Sequence, residues 1–199
     1  RAAYAVDFLD ADYAVDFCSA ILAGLAGVLS IDHDDATPNE RLRVLLASMR
    51  ETDPYRYSEI PFAGRPVNRW MDRAEAWSRE ADGRPKRLFA RLETDGKPVY
   101  WWDAHFTFVV PLAVMQFCPD HPLAAMHLML DFGHDTDSYA QLLGAWRGAI
   151  HGSSVFPSEM VQAVETRLKA DFGETIEDWC ATLVALADQR LQKRLVFKR

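Results

Sequence analysis

The sequence predicts an all-α protein, on three observations. Apolar residues recur at three- and four-residue intervals in segment after segment. Helix-capping residues and prolines stand at the starts of those segments, and glycines at their ends. Runs of alternating apolar and polar residues, the mark of half-buried strands, are weak throughout.

The first element is expected over 10–31, DADYAVDFCSAILAGLAGVLSI, where Tyr13, Phe17, Ile21, Leu25 and Leu29 fall on one side with Ala14, Ala20 and Val28 nearby. The loop DHDDATPNE follows. Thr37 reads as an N-cap and Pro38 as the first residue of the helix PNERLRVLLASMRE. Asp34 and Asp35 read as loop acids. The repeated YAVDF at Tyr4–Phe8 and Tyr13–Phe17 is too short to signal a repeat architecture. A connector rich in proline and tyrosine, TDPYRYSEIPFAGRP, leads to VNRWMDRAEAWSREA, in which Trp70 and Trp77 take the seven-residue spacing of a buried face.

A charged stretch, DGRPKRLFARLETDGKPV, precedes the apolar run YWWDAHFTFVVPLAVMQF, and HPLAAMHLMLDFG forms a short helix stopped by Gly133. Two amphipathic helices end the chain. Pro157 opens the first, Gly173 closes it, and Thr175 caps the second. No linker divides the chain into separately packed halves, so residues 1–199 are expected to form one helical domain.

The 199 residues are 49% hydrophobic and carry a net charge of −7, which supplies a core and disfavours nucleic-acid binding by bulk electrostatics. Cys18, Cys118 and Cys180 form no CxxC pair and read as small core residues, which points to a reducing, cytoplasmic setting. The longest apolar run, FTFVVPLAVMQFC, is too short for a membrane span and contains Pro111. The chain starts at Arg1 in helix-like sequence, and it is expected to be part of a longer protein.

Chemistry concentrates in FGHDTDSYAQLLGAWRGAIHG, Phe132 to Gly152. Asp135, Asp137 and Ser138 offer hard oxygen donors that suit Mg²⁺, Mn²⁺ or Ca²⁺ rather than zinc. Capping of a first helical turn is the commoner use of such residues. An EF-hand loop beginning at Asp135 fails, because its sixth and twelfth positions are Ala140 and Trp146. A nucleophilic aspartate ending a strand also fits poorly, since AAMHLMLDF favours helix. Behind the acids, Ala140, Gly144, Gly148 and Gly152 recur every four residues. Each interior glycine costs the helix about 0.5–1 kcal/mol relative to alanine. The stripe therefore predicts close approach of a neighbouring backbone or a ligand, with the acids mounted rigidly at the helix head.

GHDTDSYAQLLGAWRGAIHGSSVFP, Gly133 to Pro157, resembles the C-terminal metal motif of the ADP-ribosylglycohydrolases: Gly-[Gly/His]-Asp-x-Asp-[Ser/Thr], a helix Gly-Ala-x-x-Gly-Ala-x-x-Gly, then proline. The resemblance implies a compact orthogonal bundle of the family's type, here its C-terminal part. It implies that Asp135, Asp137 and Ser138 ligate a pair of Mg²⁺ or Mn²⁺ ions and that the two aspartates are catalytic. The substrate it implies is an ADP-ribosylated protein or a small-molecule ADP-ribose adduct. The family's Thr-Asp-Asp and early Gly-Asp segments have no counterpart in this chain, so half the metal shell is expected from elsewhere, or the chain is a non-catalytic member. Beside the motif, His134, Trp101 and Trp102 are the expected substrate-binding residues. Tyr100 and Asp103 flank the two tryptophans. His105, His121, His127 and His151 show no paired ligand spacing.

Overall fold

A computed structural model describes residues 13–53, 67–96 and 100–196. The Tyr4–Phe8 repeat, the start of the first helix, the side chain of Tyr13 and most of the connector before Val67 lie outside the described residues. Among the described residues there are nine α-helices and no strand. The helices are α1 (Tyr13–Leu29), α2 (Pro38–Thr52), α3 (Val67–Glu80), α4 (Pro85–Gly96), α5 (Ala104–Phe117), α6 (Pro122–Phe132), α7 (Thr136–His151), α8 (Ser158–Phe172) and α9 (Ile176–Val196).

Packing groups the chain into two compact units, Arg1–Val155 and Phe156–Arg199. The boundary has no run of glycine or charge to betray it, since Pro157 also serves as the N-cap of α8.

The first unit is organised around α5. Phe106, Phe108 and every residue from Val109 to Met115 are buried, so the helix is apolar all round. Each large side chain shut away in this manner contributes roughly 1.5–3 kcal/mol. Helices α1, α3, α4, α6 and α7 all pack on it. Pro111 lies inside the helix and is buried with the rest. At Gly96 a Cβ would stand 2.6 Å from the Phe106 ring, and the His105 ring hydrogen-bonds the Gly96 carbonyl at 3.2 Å. The end of α4 is thus seated on the start of α5, which fixes where the Tyr100–Asp103 turn begins.

Helix α1 packs against α2 through Gly24 and Gly27. A Cβ at Gly24 would lie 2.8 Å from the Met49 methyl and 3.3 Å from the Leu45 carbonyl oxygen, and one at Gly27 would lie 2.3 Å from the Ser48 hydroxyl. Phe17, Ala20 and Val28 are buried as expected, whereas Leu29 is 72% exposed because the helix ends there. Helix α2 opens on a reciprocal cap: Thr37 accepts from the Glu40 amide at 3.3 Å, and Glu40 accepts from the Thr37 amide at 2.8 Å. Trp70 and Trp77 are buried and meet edge to face, with centroids 6.2 Å apart.

The charged stretch after Asp82 contains a helix that its composition hides. Pro85 starts α4, and Leu88 and Leu92, four residues apart, are its buried anchors.

In the second unit, α8 ends at Gly173 in the left-handed conformation (φ 74°). Thr175 and Asp178 then cap α9 reciprocally, at 3.1 and 2.9 Å. The Phe172 and Trp179 rings meet at 5.7 Å, and the Ile176 amide donates to Glu165 at 3.2 Å. Cys180 is exposed rather than a core residue, while Cys18 and Cys118 are half-buried.

Candidate metal-binding head of α7

The turn between α6 and α7 is built on two residues of positive φ in succession, Gly133 (77°) and His134 (60°). Gly133 suits its position because it has no side chain to clash. His134 does not share that freedom, and its ring is held on three sides. It stacks on Trp101, with centroids 3.5 Å apart and planes 16° from parallel. It meets Phe132 edge-on at 5.0 Å, and its Nε2 lies 3.3 Å from Glu93 Oε1 on α4.

Asp135 follows as the N-cap residue of α7, yet its side chain makes no capping hydrogen bond. Its Oδ2 is buried and has no hydrogen-bond partner. This separates it from an ordinary helix cap, whose carboxylate would accept from the first-turn amides. Asp137 is exposed in the first turn and Ser138 is half-buried beside it. Tyr139, one residue on, is buried. Its hydroxyl donates to the Trp101 carbonyl oxygen, which ties the Tyr100–Asp103 turn to α7. Burial, and next the negative charges of Asp135 and Asp103, push the Tyr139 phenol above its ordinary range, so it stays a donor.

The structure therefore brings Asp135, His134 and Trp101 together at the head of α7. Trp102 stands apart from that stack. It is 65% exposed and lies face to face with Tyr100, centroids 5.0 Å apart at 10°. Glu93 and Tyr139 belong to the site as well. Tyr139 is adjacent to the acidic motif, but Glu93 lies 41 residues before His134 and carries no signal in the sequence.

An unpartnered buried carboxylate oxygen, with a second carboxylate and a hydroxyl within three residues, fits a hard divalent cation. Among the described residues no three His, Cys, Asp or Glu side chains converge as a metal-binding group.

Within the glycine stripe, Gly144 is not in close contact with a neighbour. A Cβ at Gly144 would meet only the Met126 methyl, at an ordinary 3.8 Å. The close helix contact lies at Gly24 and Gly27 instead.

A sequence model of the ADP-ribosylglycohydrolase family matches residues 9–194. The chain belongs to that family. The match covers nearly all of the chain, and the all-helical architecture agrees with it. No curated protein and no solved structure matches the chain. No helix among the described residues is long and apolar enough to cross a membrane.

Proposed function

We propose that the chain supplies part of the catalytic centre of a hydrolase that cleaves the glycosidic bond of ADP-ribosyl adducts, on a protein or on a small molecule. The observation that carries this reading is the buried, unpartnered Oδ2 of Asp135 at the head of α7. Asp135, Asp137 and Ser138 would hold a Mg²⁺ or Mn²⁺ pair, completed by donors beyond these three. When bound, such ions orient ribose hydroxyls and a water molecule while positive charge develops on the sugar.

The chain's own residues account for the mounting. Asp135 stands on the turn fixed by Gly133 and His134. Tyr139 anchors the neighbouring aromatic turn through the Trp101 carbonyl. Trp101 and His134 have ring faces committed to each other, so they form a wall. The Tyr100–Trp102 stack, with both rings more than half exposed, is open enough to meet a substrate ring.

Asp137→Asn in the intact protein should reduce Mg²⁺-dependent release of ADP-ribose by about a hundredfold or more, as losing one preorganised charge-stabilising group does elsewhere. Unchanged turnover would dismiss Asp137 as a ligand. The short donor set favours a second reading, a non-catalytic member that keeps the fold for binding or structure. That reading predicts no metal-dependent turnover in the unmodified protein, and weak Mn²⁺ binding at best.

A further inference from the structure

We infer that Glu93 and Trp101 are positioning residues for the metal-holding turn: they clamp the His134 ring, and so hold the left-handed residue that aims Asp135. This rests on the proposed role of Asp135 as a ligand.

Among the described residues only Asp82 and His134 have positive φ without being glycine. Asp82 sits in an exposed turn, and its short side chain tolerates that conformation. His134 carries a ring, and a residue in this region persists where its surroundings over-determine it. Those surroundings come from three places in the chain. Trp101, between α4 and α5, offers its face at 3.5 Å; Phe132, at the end of α6, offers an edge; Glu93, on α4, sits within hydrogen-bonding reach of Nε2.

Trp101 is itself fixed. Its carbonyl accepts from the Tyr139 hydroxyl, and its ring packs on Phe106 with centroids 5.6 Å apart. The clamp therefore closes a loop from α4 through the α6–α7 turn to α7 and back to the start of α5. Asp135 is the next residue after the clamped ring. Its backbone carbonyl already accepts from the Tyr139 amide at 3.2 Å, so the torsions of His134 set the direction from which the chain reaches it. Releasing the ring lets the turn leave the left-handed region, and Asp135 swings with it.

The test combines substitutions at the clamp with one that makes the clamp unnecessary. Glu93→Ala and Trp101→Leu should each weaken Mn²⁺ binding about fivefold, the scale set by one residue leaving the left-handed region. His134→Gly supplies a residue that adopts positive φ unaided. Adding Glu93→Ala to that background should weaken Mn²⁺ binding no further.

A second readout needs no metal. The backbone amide resonance of Asp135 should shift in Glu93→Ala and stay put when the same change is made on the His134→Gly background. Equal Mn²⁺ affinity and an unmoved Asp135 amide in Glu93→Ala and Trp101→Leu would overturn the clamp while leaving the metal reading intact. If the unmodified protein bound no Mn²⁺, the metal reading would fall, and the amide shifts alone would decide whether the clamp exists.

Discussion

The two ends of α7 solve opposite problems. At its head, Asp135 buries a carboxylate oxygen and leaves it without a partner. At its tail, Arg147 is fully buried, and its guanidinium donates to the carbonyls of Met115 and Pro119 at 2.9 and 2.7 Å and to that of Cys118. Arg41 of α2 reaches the same region, donating to the Ile150 carbonyl at 2.6 Å and to Ala36 at 2.7 Å. Both ends hold a charged group away from water, a costly arrangement without compensation. The tail carries its compensation within the fold, in carbonyls left free at the end of α5. At the head Asp135 Oδ2 has no such partner, whereas at the tail Arg147 leaves only its Nε without one.

Arg147→Met offers the largest test of this contrast. It removes the donor to the Met115 and Pro119 carbonyls and leaves that of Cys118 with only the His121 amide, so unfolding free energy should fall by about 3 kcal/mol. Asp135→Asn measured beside it without metal should cost almost nothing, because no intramolecular hydrogen bond is lost. A denaturant titration of both variants decides. If Asp135→Asn were as damaging as Arg147→Met, the head would be structural too.

Between the ends, Gly144→Ala should stabilise the protein by about 0.5–1 kcal/mol, since helix propensity improves and the nearest atom is 3.8 Å away. Thermal melts can read that gain. A loss would mean that the stripe faces something the contacts of Gly144 do not reveal.

The smallest effect concerns pH at the tail. His151 lies 3.4 Å from the Arg147 guanidinium. Burial, then the charges of Arg147 and Arg41, hold its imidazole below the usual range, with Asp120 opposing them. The unfolded chain therefore takes up this proton first as pH falls. The contribution of neutral His151 is complete above the ordinary histidine value of about 6.5 and declines as pH drops below it. His151→Gln should flatten that part of the pH–stability curve, and an unchanged slope would place its origin elsewhere. Arg147 itself, held down to about 10 chiefly by burial, stays charged across this window.

Much of this was legible in the residues. The cap at Thr37, the stop at Gly173 and the buried Trp70–Trp77 face followed from local chemistry, because each depends on atoms only a few positions apart. The acidic motif was equally plain. Other features depend on distance along the chain. Pairing of Glu93 with His134 spans 41 residues, and no periodicity encodes it. Glycine spacing drew attention to α7 and not to α1, yet only the identity of the facing side chain distinguishes a tight contact from a loose one. Ser48 and Met49 crowd the first, and a single methionine methyl touches Gly144 in the second.

The crossing of α1 and α2 carries its own consequence. Position 27 faces Ser48 so closely that one added methyl would make the Ser48 hydroxyl turn away and press on its Cβ, and so on the partner helix. That partner also bears Arg41, whose guanidinium grips a carbonyl 109 residues downstream. A single methyl added near the beginning of the chain would thus be felt as slack at the far end of the helix that carries the acids. Evolutionary drift at such a spot should come in compensating pairs, with the smaller partner shrinking before the glycine can grow.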